Sequence, residues 1–144
     1  MKNILLIMSL FLVVACSSDD NNQRNPNLPN QSFTVQINLD LPQYVELRAP
    51  GGITVDRANG RGIRGLIIYR QNIDQFFAYE LSDPNIPLSD CSALDVQATR
   101  ALSNCGNDNE YDIPSFGQQV KGEGGLPLLS YSVSRNGNNL TISN

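Results

Sequence analysis

The sequence predicts a mainly β domain, and three observations carry that expectation. From Ser32 to Asp40 the apolar residues Phe33, Val35, Ile37 and Leu39 alternate strictly with polar ones, the period of a half-buried strand. Near the C-terminus Leu129, Tyr131 and Val133 face Leu140 and Ile142 across Asn136-Gly137, a dipeptide suited to the positive φ angles of a tight hairpin turn. No segment beyond the first fifteen residues sustains the 3.6-residue period of an amphipathic helix.

In chain order, further short strands are predicted at Tyr44–Arg48, Gly52–Asp56 and Leu66–Arg70. Phe76–Leu81 follows the turn-forming Gln71-Asn72-Ile73-Asp74, so these two runs should make a hairpin. From about 82 to 117 the texture changes to Pro, Asn, Asp and Ser with two cysteines. Its only apolar stretches are short, Leu94–Ala98 and Ala101-Leu102. This segment reads as a loop lobe inserted into the β framework.

The N-terminus has a different character. Met1, Lys2 and Asn3 precede an uncharged apolar run, Ile4–Ala15, which has the layout of a signal peptide and is too short to span a bilayer. Val13-Val14-Ala15-Cys16 resembles the lipobox cut by the lipoprotein signal peptidase. That resemblance implies that residues 1–15 are removed and that Cys16 becomes a lipidated N-terminus. The thiol would take a diacylglycerol by thioether linkage and the freed amine could be acylated. Two or three chains at about 0.8 kcal/mol per buried CH₂ hold such an anchor in place. An ordinary secretory signal followed by an incidental cysteine is the other reading.

Ser17-Ser18-Asp19-Asp20 resembles the acidic surface-export signal of some Gram-negative lipoproteins, and also reads as the start of a polar tether. The residue directly after Cys16 is not Asp, which argues against inner-membrane retention in the familiar sorting scheme. Residues 17–31 are rich in Asn, Ser, Asp, Gln and Pro without apolar periodicity, so a disordered spacer is expected. The chain is thus expected to be lipid-anchored at the outer membrane, facing the periplasm or the surface. A single folded domain, residues 32–144, would hang from that string.

Composition removes several function classes. Lys and Arg number 10 against 14 Asp and Glu, a net charge of −4, and no basic stretch offers nucleic acid an electrostatic footprint. Histidine is absent, which removes the commonest general base, the commonest zinc ligand and every Ser-His or Cys-His nucleophile. No catalytic constellation is found. In an oxidising compartment, with Cys16 carrying lipid, Cys91 and Cys105 should pair; two buried free thiols are the alternative.

Residues 65–133 resemble the Rieske iron–sulfur domain. Gly65-Leu66-Ile67-Ile68-Tyr69-Arg70 and Phe76-Phe77-Ala78-Tyr79-Glu80 look like the strand pair that leads into the family's first cluster loop. There a Cys-Pro-His type motif stands where this chain has Asp83-Pro84-Asn85. The family's second loop, of the Cys-x-Cys-His-Gly-Ser type followed by Phe-Asp, corresponds to Ser103-Asn104-Cys105-Gly106-Asn107-Asp108 before Tyr111-Asp112. Cys105 matches the middle, disulfide-forming cysteine, with Cys91 as its partner. Gly117, Gly122, Pro127, Leu128 and Tyr131 match the pattern of the closing strands, although Glu123 replaces the proline after the second glycine.

The resemblance implies a small Rieske-like β-sandwich with a disulfide-stapled inserted lobe. It also implies a 2Fe-2S cluster whose four ligand positions are here Asp83, Asn85, Ser103 and Gly106, so the cofactor expected of the family has lost its ligands. Such a cluster takes two thiolates and two imidazoles, and this chain has no imidazole to offer.

Asp83, Asn85, Asp90, Asn107, Asp108, Glu110 and Asp112 crowd the two loops and could serve Ca²⁺ if they converged. The same residues are ordinary turn formers, no spacing matches an EF-hand, and no metal is assigned. Glycines 51, 52, 60, 62 and 65 lack the Lys-Ser/Thr ending of a phosphate loop and read as turns and bulges. Arg57, Arg61, Arg64 and Arg70 could bind an anion or simply line exposed strand faces.

The leading functional expectation is a non-redox binding or structural module that serves an envelope protein partner. The alternatives are an electron-transfer protein with an atypically ligated 2Fe-2S cluster, and a surface enzyme working with carboxylates alone, for which no carboxylate pair stands out.

Overall fold

The alternation of the first predicted segment becomes β1 (Thr34–Asn38), with Ile37 and Leu39 buried and their polar neighbours exposed. The computed structural model describes residues 25–144; the expected signal peptide, Cys16 and residues 17–24 lie outside the described residues. The strands that follow are β2 (Ile53–Asp56), β3 (Leu66–Arg70), β4 (Phe76–Glu80), β5 (Asp95–Gln97), β6 (Arg100–Leu102), β7 (Glu110–Asp112), β8 (Gln118–Lys121), β9 (Ser130–Asn136) and β10 (Asn139–Ser143).

They form two antiparallel sheets: six strands in the order β1-β10-β9-β4-β3-β2, and four in the order β5-β6-β7-β8. Ile37 of β1, Leu140 and Ile142 of β10, and Leu66 and Ile68 of β3 share one apolar cluster. Strands that far apart in a flat sheet cannot touch at about 4.8 Å spacing. The sheet therefore curls on itself into a small β-sandwich, the arrangement that the resemblance implies.

The uninterrupted apolar run of β3 has a direct cause. Leu66 and Ile68 enter the first cluster, whereas Ile67 and Tyr69 enter a second, with Tyr79, Leu81, Leu94, Ala101, Tyr111, Ile113 and Leu128. This second cluster joins the large sheet to the small one. Each fully buried aliphatic side chain contributes roughly 1.5–3 kcal/mol. At the C-terminal hairpin Asn136 pairs with Asn139, so the two loop residues are Gly137 and Asn138, with Gly137 at φ +60°.

Three expectations need correction. Tyr44–Arg48 is not a strand but part of a 3-10 helix, Pro42–Arg48. Its buried residues, Tyr44 and Leu47, are three apart, which puts them on one face of a three-residue turn rather than one face of a strand. Arg70 ends the helix, its Nη1 donating to the carbonyls of Leu47 (3.0 Å) and Arg48 (2.6 Å).

The lobe is a four-stranded sheet, not a set of loops, and it extends to Lys121. The disulfide Cys91–Cys105 is formed, with Cα atoms 5.1 Å apart, and ties the loop before β5 to the loop after β6.

The described end of the expected spacer also lies against the domain. Asn25 and Asn27 each donate a side-chain N–H to the Pro84 carbonyl at 2.9 Å, and Leu28 is 6% exposed. Asn25 Oδ1 accepts the N–H groups of Asn27 (2.7 Å) and Leu28 (3.2 Å). Local side-chain-to-backbone bonding of this kind is what Asn supplies at turns; it gives the segment a shape that composition alone does not reveal.

Candidate functional site

Two connections leave the framework at the lobe end, residues 81–94 after β4 and residues 103–109 between β6 and β7. Asp83 lies between them, fully buried. Its carboxylate accepts four hydrogen bonds: from the Tyr111 hydroxyl (2.5 Å), the Asn85 N–H (2.9 Å), and the side-chain amides of Asn109 (3.0 Å) and Asn107 (3.2 Å). Burial alone pushes this carboxyl up. The donors, Tyr111 foremost, outweigh it and hold the group below the ordinary aspartate range. Burial and then Asp83 push the Tyr111 phenol well up, so it stays a neutral donor.

The network reaches the closing strands through Asn85 and Asn109. Asn85 Nδ2 donates to the Tyr111 hydroxyl (3.0 Å) and the Leu126 carbonyl (2.8 Å), and its Oδ1 accepts the Leu126 N–H (3.0 Å). Asn109 Oδ1 accepts from Gln119 Nε2 (3.1 Å) and the Glu123 N–H (3.1 Å). Gly122 and Gly124 make this approach feasible. A Cβ on Gly122 would lie 2.0 Å from Asn109 Oδ1, and one on Gly124 would lie 2.3 Å from Asn85 Oδ1.

Beside the network is an open cavity of about 680 Å³, lined by Asn85, Ile86, Asn107, Asp108, Lys121 and Glu123 among others.

The four ligand positions implied by the resemblance fare differently. Asp83 and Asn85 are brought together in the network. Ser103 instead serves its own turn: its N–H donates to the Asn109 carbonyl (2.9 Å) and its hydroxyl accepts from the Cys105 N–H (3.4 Å). Gly106 has φ +72° and faces open space. These residues do not fit a 2Fe-2S cluster. The Asp83 carboxylate accepts the Asn85 N–H, the Asn85 side-chain oxygen accepts the Leu126 N–H, both loop cysteines are in a disulfide, and the chain has no imidazole.

Of the oxygen-bearing residues considered for Ca²⁺, Asp83, Asn85 and Asn107 meet in the network, where Asn107 donates to Asp83, and the other four disperse. Asp108 is 3.5 Å from Lys121, while Glu110 and Asp112 lie 3.6 and 3.5 Å from Arg100. Asp90 is exposed. Among the described residues, no group of three or more Asp, Glu, Cys or His is placed to hold a metal ion.

A second buried carboxylate, Glu80, escaped sequence reasoning. It accepts from the N–H groups of Ile63 (2.7 Å), Arg64 (2.8 Å) and Ser82 (3.0 Å), and from the hydroxyls of Ser82 (2.9 Å) and Tyr131 (2.7 Å). Burial, then the Glu80 charge, push the Tyr131 phenol up. The glycine-bearing 57–65 loop thus presents backbone N–H groups to an anion, as a nest does; the anion is the chain's own.

The nearby arginines are likewise engaged internally. Arg57 and Arg64 donate to the carbonyls of Leu94 (3.5 Å) and Ser89 (2.8 Å), Arg61 pairs with Asp56, and Arg70 caps the 3-10 helix.

The missed participants at the main site are Asn109, Tyr111, Gln119, Gly122 and Gly124. Tyr111 carried a signal, as the aromatic of the Tyr111-Asp112 pair, and Gly122 as a matched glycine. Nothing in the local sequence distinguishes Asn109 or Gln119 from surface residues.

No family model matches the chain, and no curated protein matches it. Several solved structures are similar. One is a chain of the complex of reduced oxygenase and oxidized ferredoxin in carbazole 1,9a-dioxygenase: 16% identity, TM-score 0.47, covering 78% of this chain and 94% of that one. Another is the ferredoxin of carbazole 1,9a-dioxygenase from Nocardioides aromaticivorans IC177, at 16% identity and TM-score 0.43, covering 77% and 97%. A third is a nitrite reductase NADPH (small subunit) oxidoreductase protein, at 15% and 0.41, covering 75% and 97%. The architecture is mainly β with a disulfide-stapled lobe.

Proposed function

We propose that this chain is a lipid-anchored, Rieske-like module in which the cluster site has been replaced by a hydrogen-bonded network, and that it serves the cell envelope by binding or structural support rather than by redox chemistry. The observation that carries this reading is the environment of Asp83. A cluster ligand must present its donor atom to iron, whereas this carboxylate is closed by four protein donors from both loops. A buried, fully satisfied polar network fixes a single geometry, which suits a surface built for recognition.

Anchoring rests on the Val13-Val14-Ala15-Cys16 pattern and the polar segment behind it. The bilayer is then one partner through Cys16, an envelope protein the other, and the outer membrane the location. Two measurements test the parts separately. Protein treated anaerobically with iron and sulfide and then reduced should give no cluster signal in electron paramagnetic resonance; a stoichiometric signal overturns the non-redox reading. The N-terminal peptide of the chain isolated from membranes should begin at Cys16 and carry the mass of its acyl chains, and an unmodified Cys16 overturns the anchor.

A further inference from the structure

The Asn25 and Asn27 side chains close on one acceptor, the Pro84 carbonyl, and Leu28 is buried beside them. This clasp fixes where the N-terminal segment leaves the domain, next to Asp83 and Asn85. The exit lies at one pole of the sandwich. β4 runs from Phe76 to Glu80 toward Pro84, a rise of about 13 Å. The opposite pole carries the two hairpin tips, where Arg135 Nη1 reaches the Ile73 carbonyl (2.5 Å) and Asp74 (3.2 Å) close to Gly137.

Only residues 17–24 separate Cys16 from Asn25, and a chain of that length reaches about 30 Å at full extension. We infer that the clasp holds the lobe pole, with its cavity, toward the bilayer that carries Cys16, so that the surface this pole faces is the lipid headgroup layer. The inference rests on the lipid anchor proposed above. The register of β1 already brings the chain in at this pole, Thr34 pairing with Ser143 at the end away from the hairpin tip; the clasp shortens the leash and so sets how far this pole can rise. Without the clasp, residues 25–29 would join the leash up to Asn30 and Gln31, which Asn144 holds, lengthening it by about 17 Å, and the preference would weaken. A cavity in this position opens on the space between domain and membrane, so whatever occupies it is met at the bilayer surface.

The test uses the lipidated chain purified from membranes and reconstituted into phosphatidylethanolamine/phosphatidylglycerol vesicles with an acceptor dye on the headgroups. Donor dyes are placed singly through Glu123→Cys at the lobe pole and Asp74→Cys at the tip pole, both exposed positions. Energy transfer to the vesicle surface should be higher from position 123 than from 74, and the difference should shrink in the Asn25→Ala/Asn27→Ala protein. Equal transfer from both positions, or higher transfer from 74, overturns the orientation without reference to the clasp variant, so poor folding of that variant does not rescue it. A difference that persists with the clasp removed overturns the role of the clasp. The mass of the Cys16 peptide reports the anchor independently: absence of lipid there overturns the anchoring reading and this inference with it, whereas lipid with equal transfer overturns the orientation alone.

Discussion

Asp83 illustrates how a residue type can be legible while its task is not. Its alignment with a ligand position, after Tyr79-Glu80 and before Pro84-Asn85, could be read from the sequence. That it accepts from Tyr111, Asn107 and Asn109, 24 to 28 residues away, could not. Long-range polar pairing leaves no periodic trace, since any Asn or Asp in a polar loop is a plausible turn former.

The energetic consequence is direct. Asp83→Ala leaves buried donors without an acceptor and should destabilise the domain by about 3 kcal/mol, and Tyr111→Phe, which removes one donor of four, by about 1 kcal/mol. Urea unfolding at neutral pH measures both; a smaller loss for Asp83→Ala than for Tyr111→Phe would contradict the network.

The pH dependence has a definite sign. Because the folded Asp83 carboxyl is held down, its contribution is complete above the unfolded value of about 3.9 and is lost as pH falls through the folded value. Below about pH 4, wild-type stability should therefore fall more steeply than that of Asp83→Asn. Parallel acid limbs would show that the carboxyl is not depressed.

At the scale of elements, the framework was legible where its periods were long enough to see. The segment Ser32–Asp40 that contains β1 alternates over nine residues, and β3 reads as a continuous apolar run because it is buried on both faces. The 3-10 helix was missed because Tyr44 and Leu47 show a spacing of three only once. The small sheet was missed because three of its four strands span three residues each.

The β5–β6 hairpin also turns at Ala98-Thr99, without the Gly, Asn or Asp that usually marks such a turn, and Ala98 sits at φ +50°. Left-handed backbone costs a non-glycine residue about 1 kcal/mol, so Ala98→Gly should stabilise the domain by roughly 0.5–1 kcal/mol in denaturant unfolding. Destabilisation would show that the Ala98 side chain packs better than its backbone suffers.

The 57–65 loop is an element held by one carboxylate. Glu80→Gln replaces an acceptor oxygen by an amide facing donors and should cost about 3 kcal/mol. Hydrogen exchange should rise first at Ile63 and Arg64, whose N–H groups Glu80 accepts; exchange unchanged at those two amides would mean that the loop is held by something else.

For the whole molecule, the disulfide was legible from cysteine count together with the expected export, because two thiols in an oxidising space would have few other fates. It joins residues 14 apart, and closing a loop of that size contributes about 3 kcal/mol in the chain-entropy model. Cys91→Ala/Cys105→Ala should lose about that much stability while keeping the framework's β-sheet circular dichroism, since both apolar clusters are independent of the sulfur atoms. The point where the N-terminal segment docks was not legible, because Asn and Pro are as common in free linkers as in turns.

The curled six-strand sheet, the stapled lobe and the closed Asp83 network are the observations on which the proposed non-redox reading rests. The most direct measurement is the iron content and visible absorbance of the purified chain as isolated from cells grown with ample iron. A colourless, iron-free protein that unfolds cooperatively is expected; a brown protein with two iron atoms per chain would mean that the Asp83 network opens to hold a cluster and would contradict the non-redox reading.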